Sequence, residues 1–271
     1  MSVRSARYNL LSLRNPKGLT VIPEERDAWA FLDAAGIKSS REQRAVIELV
    51  RGLKHAQLWT KMKAIYPFVG GTATTHKFNL KDPRDADAAF RLSFSGGWTH
   101  ASTGALPNGT NAFADTYLII SSNLALNSCH ASYYGTSVTS SSYDLGAQDS
   151  TNTAIFAMYY DSVTSKIYGR ANRWNTAEYN FTPSPNSGYF VVNRRTSTSE
   201  QVYQNSTKND FVYTSERAPT NRIYFARVNG RNNYGLRELS FATLGDGLTD
   251  TDATALYNIV QRFQTTLGRQ V

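Results

Sequence analysis

The sequence predicts a mainly β protein: an antiparallel sandwich or barrel carrying an N-terminal helical hairpin and a C-terminal helix. Two observations carry this. From Phe68 onward, short runs of period-two apolar and aromatic residues are punctuated by Gly, Asn, Asp, Ser and Pro. Before Pro67 and after Thr249 the apolar spacing is instead helical. No strand–helix–strand alternation is present, which argues against a Rossmann or (β/α)8 enzyme.

Residues 1–22 show no sustained period and contain the turn Asn15-Pro16-Lys17-Gly18, so they read as an extended basic arm. Pro23 suits a first helical position, with Glu24, Glu25 and Asp27 at the positive end of the helix dipole. Ala28, Phe31, Leu32 and Ala35 form its stripe and Gly36 stops it. A second helix is expected from Ser40, with Gln43 at capping-box spacing. Its stripe is Val46, Ile47, Leu49, Val50 and Leu53, with a kink or break at Gly52. Residues 23–66 thus form a helical segment whose stripes must be buried against something.

Strands are expected at 74–79, 90–95, 116–120, 130–134, 155–160, 166–170, 188–194, 200–204, 211–213, 222–228 and 236–243. Hairpin loops are expected at 161–165, 193–200 and 205–208. Asp85 is placed as the cap of a short turn over Ala86–Ala89. The sandwich spans 67–248, and a helix spans 249–271, capped by Thr249 or Asp250 with Asp252 in box position. Its stripe, Leu256, Ile259, Val260, Phe263 and Leu267, should lie on the sandwich or on the hairpin.

The hydrophobic share of 41% and aromatic share of 12% suffice for a core. The formal net charge is +8, and residues 1–66 carry 12 Lys/Arg against 6 Asp/Glu. The N-terminal quarter therefore suits an acidic partner surface or nucleic acid. The sandwich is nearly neutral, which argues against nucleic acid. Cys129 is the sole cysteine, which excludes an intrachain disulfide and a Cys-based zinc site. No secretory h-region or membrane-length apolar run is present, so cytoplasmic synthesis and a soluble chain are expected.

Three segments are more specific. They are Tyr66–Asp85, with Pro67, Gly70-Gly71 and Asp82-Pro83; Phe94–His100 followed by Ala105–Asn111; and Gly245–Asp250 with the helix to Arg269. Together they resemble structural proteins of tailed-phage virions, and the middle of the chain resembles concanavalin A-like (laminin-G-like) jelly rolls. The Asn205-Ser206 turn departs from the Asn-Gly of those folds. The resemblance implies a two-sheet jelly roll and a place on a phage particle, as capsid decoration, head fibre or tail component. It also implies virion protein partners and, as an alternative, a host-surface glycan ligand; self-association, a trimer being one form, is expected from the helical stripes, which need burial.

A jelly-roll glycosidase presents paired carboxylates on one strand. No Glu-x-Asp-x-x-Glu occurs, and Glu200, Glu216 and Glu238 are solitary. There is no Gly-x-Ser-x-Gly elbow, no phosphate loop and no His-x-x-x-His. A non-catalytic role is expected, with no cofactor; calcium at Asp144 and Asp149 is the one ion considered. Sugars stack on flat rings and bond to amides and guanidiniums. The glycan candidates are accordingly Trp174, Arg173 and Asn172 in a polar connection, with Tyr133 and Tyr134. The partner-binding candidates are Arg4, Arg7, Arg14, Trp29 and Trp59.

Overall fold

The computed structural model describes residues 22–149, 153–174, 179–183 and 186–271. A 3-10 turn at Pro23–Glu25 leads into α1 (Arg26–Ala34) and α2 (Ser40–His55). Then follow β1 (Met62–Tyr66), α3 (Ala73–His76), β2 (Ser93–Ser95), β3 (Trp98–Ala101), β4 (Gly104–Pro107) and β5 (Phe113–Ile119). After the short α4 (Ile120–Asn123) come β6 (Cys129–Gly135), β7 (Ser142–Gln148), β8 (Ile155–Asp161), β9 (Lys166–Arg173) and β10 (Tyr179–Phe181). The chain closes with β11 (Gly188–Arg194), β12 (Ser199–Gln204), β13 (Thr207–Val212), β14 (Arg222–Phe225), β15 (Val228–Asn229), β16 (Leu239–Gly245) and α5 (Asp250–Leu267).

Two antiparallel sheets form the sandwich. The back sheet runs β13-β12-β11-β6-β16-β4-β3, with β1 also on β16. The front sheet runs β10-β9-β8-β7-β14-β5-β2, with β15 also on β7. Alternation sorts the faces. Tyr133, Phe190, Val192 and Leu244 of the back sheet meet Leu145, Phe156, Met158, Ile167 and Phe225 of the front sheet in one core. The back sheet's other face, with Ile65, Tyr134, Tyr189, Val191 and Phe241, packs against α1, α2 and α5 in a second core.

That second core changes the reading of the helices. Phe31, Leu32, Val46, Leu49, Val50 and Leu53 are buried against this chain's own sheet and α5. Each such side chain contributes about 1.5–3 kcal/mol by leaving water. The expected need for a partner to cover these stripes, and with it the ground for a trimer, is removed. Nor is 23–66 separate from the sandwich, because β1 pairs with β16 from Met62↔Gly245 to Tyr66↔Ala242.

Other differences are local. The expected strand at 74–79 is instead the helical turn α3, because Thr72 and Thr75 form a reciprocal capping box. Ser39 rather than Ser40 caps α2, accepting from the Glu42 N–H. No kink occurs at Gly52; a Cβ there would lie 3.2 Å from Ile259 Cγ1, so this glycine lets α2 and α5 approach closely. Asp85 does not cap a turn but pairs with Lys77 and Arg91. Strand β7 goes unpredicted because Asp144 and Gly146 interrupt its alternation. The Thr249–Asp252 capping box of α5 forms as read, and no helix of the described residues is long and apolar enough to cross a membrane.

Arg269 fastens the end of the chain. Its guanidinium donates to the carbonyls of Pro67, Phe68, Ser102 and Ser240 and to Gln264 Oε1. Burial lowers its pKa to about 9. Arg269 thereby ties the end of α5 to the connection after β1, to the β3–β4 turn at Ser102 and to β16.

Candidate functional site

The two outer faces of the sandwich differ. Helices cover the back sheet, whereas no helix of the described residues packs on the outer face of the front sheet. Register decides what this face displays. Tyr143 of β7 lies opposite Tyr159 of β8, which lies opposite Tyr168 of β9. Their neighbours Tyr160 and Ile167 point into the core, so the three tyrosines point outward. The rings stack as a ladder, with centroids 5.1 and 4.8 Å apart and planes 10° and 7° from parallel.

The ladder's geometry limits what it can offer. Both faces of the Tyr159 ring are covered by its neighbours, so only its edge is left to face outward. The Tyr168 hydroxyl shares a hydrogen bond with Thr164 Oγ1 at 3.0 Å, and Asn180 of β10 lies opposite Tyr168. Tyr143 and Tyr159 are half-buried, whereas Tyr168 is buried at 5% exposure. Ile155, Ala157 and Val228 form a small apolar floor beside them, against which Tyr143 and Trp174 pack.

A second stack lies across β7. Phe113 of β5 and Tyr224 of β14 are parallel within 17° at 4.7 Å. The Arg227 guanidinium sits over both Phe113 (5.5 Å) and Tyr234 (5.1 Å). It is braced by the Arg231 carbonyl at 2.6 Å and Asn232 Oδ1 at 3.0 Å. Arg231 donates to Gln148 Oε1 at 2.5 Å. Arg222 lies over Tyr117 and pairs with Asp115 at 2.9 Å; burial raises the Asp115 pKa, opposed by the Tyr117 N–H and by Arg222. The face is thus tiled with aromatic rings and oriented guanidiniums.

Of the residues named from sequence, Trp174 is the one that reaches this face. It is half-buried, and its backbone N–H donates to Glu216 Oε2 at 2.6 Å. The other four glycan candidates are inside the molecule. Asn172 and Arg173 extend β9, where Asn172 adopts φ +59° and its amide donates to the Leu126 carbonyl and Cys129 Sγ. Arg173 and Arg194 both bond Glu200, at 3.0 and 2.8 Å, with all three side chains fully buried. That pairing makes the Arg-Ala-Asn-Arg run an interior strand rather than a polar loop. Tyr133 is buried and donates to Asp144 Oδ2 at 2.6 Å. The Tyr134 ring is in the helix-covered core, with its hydroxyl on the Val271 backbone.

Asp144 also accepts from Ser142 and Arg237, and Asp149 caps the turn at Thr153 and Ala154. Their oxygens are engaged within the protein, and no group of three His, Cys, Asp or Glu among the described residues could hold a metal ion. This removes the basis for calcium there. Burial pushes the Cys129 thiol up to about 12, which keeps it protonated. Trp29 donates to Glu25, and Trp59 carries Lys81 at 4.1 Å over its ring; both lie against the helical core. Arg4, Arg7 and Arg14 lie outside the described residues.

The ladder was missed for a physical reason. Tyr143, Tyr159 and Tyr168 are spread over three strands, and β7 itself was unpredicted. The signal was the alternation in Ile155–Tyr160 and Lys166–Tyr168, which puts Tyr159 and Tyr168 on one face once the 161–165 hairpin is accepted.

No known family model matches the chain, and no curated protein matches it. Solved structures do. The botulinum neurotoxin serotype D binding domain is similar at TM-score 0.53 and 8% identity, over 75% of this chain and 52% of that one. A Trypanosoma rangeli sialidase, solved in complex with 2,3-difluoro-KDN, is similar at TM-score 0.52 and 10% identity, over 79% of this chain and 39% of that one. The chain therefore spans about two fifths to half the length of these structures. At such identities the likeness defines the fold: a concanavalin A-like two-sheet β-sandwich.

Proposed function

We propose that this chain is a non-catalytic glycan-binding module whose ligand lies on the outer face of the front sheet. The observation that carries the reading is the Tyr143–Tyr159–Tyr168 ladder on the sandwich face that the helices leave uncovered. Ring edges of half-buried Tyr143 and Tyr159, flanked by Trp174 and arginines, offer apolar and polar contacts at the spacing of adjacent strands. That suits an extended polyhydroxylated chain, which needs many modest contacts rather than one deep cavity. The fold adds weight by analogy only, since one similar structure is a toxin's binding domain and the other was solved with a sugar acid. The test is a glycan array probed with the wild-type chain and with Tyr159→Ala. Binding that Tyr159→Ala weakens tenfold or more, at unchanged melting temperature, supports the reading; absence of binding removes it.

A second reading, a structural part of a phage particle, is favoured by one observation. Two of the segments that resemble virion proteins, Tyr66–Asp85 and the end of α5, are joined by Arg269 through Pro67 and Phe68. The two readings are compatible, because a virion can carry its glycan binder. Immunogold labelling of particles from a phage encoding this chain tests the virion reading, and unlabelled particles would remove it.

A further inference from the structure

We infer that the saccharide bound on the front sheet is an acidic one, whose carboxylate or sulfate is held by Arg227 and Arg231. This rests on the glycan-binding reading of the same face and adds the ligand's chemical class.

Arg222 on this face is matched by Asp115, and Arg91 at its margin by Asp87 and Asp85. Arg227 and Arg231 are matched by no carboxylate among the described residues. Their bonds go instead to neutral acceptors: a carbonyl, the Asn232 amide oxygen and the Gln148 amide oxygen. These acceptors orient the two guanidiniums without neutralising them. The packing of Arg227 over Phe113 and Tyr234 fixes its plane further. An already oriented guanidinium loses little freedom on meeting an anion, and its planar fork matches the geometry of a carboxylate or sulfate.

Placement makes the two arginines part of the aromatic surface. Both lie on the 226–235 connection, whose Arg227↔Tyr234 bridge folds it back on itself. Within that connection Val228 pairs with Gly146 of β7 and contributes to the floor against which Tyr143 packs. A sugar chain along the ladder can therefore bring an acidic substituent toward Arg227 and Arg231. Two unmatched arginines suit a saccharide with one acid per one or two rings. Nucleic acid would call for a longer basic stripe following the phosphates, and Asp115 interrupts one here.

The test uses the full chain and binding isotherms for polygalacturonate, its fully methyl-esterified form, heparin and a single-stranded oligothymidylate. The variants are Arg227→Gln/Arg231→Gln, and Arg195→Gln as a charge-matched control at the Asp250 pair remote from this face. We expect at least tenfold tighter binding of one or both acidic polysaccharides than of the ester. That preference should vanish in the double variant, persist in Arg195→Gln, and coincide with an unchanged melting temperature. Equal binding of acid and ester forms overturns the acidic specificity and leaves the glycan-binding reading intact. Failure of every polysaccharide to bind overturns both. Oligothymidylate binding as tight as that of the polysaccharides, lost in the same double variant, overturns the saccharide in favour of nucleic acid.

Discussion

Lowering the pH from 6.5 to 4.5 should destabilise this protein by several kcal/mol through two buried histidines. His130 lies between the back sheet and the helices, with Nδ1 2.6 Å from the Asp246 carbonyl and Nε2 3.0 Å from Thr243 Oγ1. A carbonyl only accepts, so Nδ1 carries the proton and Nε2 accepts from Thr243. Thr243 in turn accepts from Ser132 at 2.6 Å, and Ser132 from the Tyr189 hydroxyl at 2.8 Å. Protonating Nε2 would reverse every hydroxyl in this chain and leave the buried Tyr189 proton without an acceptor. Burial, the largest influence, lowers the His130 pKa from 6.5 to about 4. His76 has Nδ1 2.9 Å from His100 Nδ1; burial first, then His100 and Arg269, lowers its pKa to about 3.

Below about pH 6.5 the unfolded imidazoles take up protons while the folded ones stay neutral, so the unfolded state gains protons and stability falls with pH. Each histidine contributes about 1.4 kcal/mol per pH unit, so the two together remove about 5 kcal/mol between pH 6.5 and 4.5. That is comparable with the whole stability of many domains, about 5–15 kcal/mol. His100, also lowered by burial, acts in the same direction. The assay is urea unfolding followed by tryptophan fluorescence at half-unit steps, on wild type and His130→Gln. The expected wild-type slope is about 2.7 kcal/mol per pH unit, reduced by about half in His130→Gln. A wild-type slope below about 1 kcal/mol per unit, or one unaffected by the substitution, refutes the reasoning.

Further predictions concern the buried charges and the helix contact. Glu200→Ala leaves Arg173 and Arg194 without their shared anion and should cost about 3–5 kcal/mol by chemical denaturation. Arg269→Met removes the donors that tie α5 to Pro67, Phe68, Ser102 and Ser240, and should lower the melting temperature by more than 5 °C, on the order of 2 kcal/mol or more. Gly52→Leu should push α2 off Ile259 and destabilise by about 1–3 kcal/mol, whereas Gly52→Ala should change stability far less, because its helix-propensity gain of about 1 kcal/mol offsets the 3.2 Å contact. Denaturation midpoints of the pair check this, and a Gly52→Leu variant as stable as wild type contradicts it.

Much of the fold was legible because its rules are local. The Gly188–Arg194 strand and the Thr249 box are set by residues a few positions apart, and alternation or capping chemistry reveals them. What escaped was set by long-range pairing. The Arg170–Arg173 run looks like a solvated loop until Glu200, on another strand, makes it an interior one. The α2 stripe looks as though it needs another protein until α5 and the back sheet, some 200 residues downstream at their far end, are brought against it. The candidate site falls in the same class. Trp174 was visible as an aromatic in a polar stretch, but the tyrosine ladder exists only through the register of β7, β8 and β9.

The central claim, that the front sheet's outer face holds the ligand, is tested most directly by a heteronuclear NMR titration. The isotope-labelled chain would be titrated with the saccharide that binds best on an array. The account predicts chemical-shift changes centred on Tyr143, Tyr159, Tyr168 and Trp174 and extending to Arg227 and Arg231. Changes confined to α2 and α5, with the ladder resonances unmoved, would contradict it.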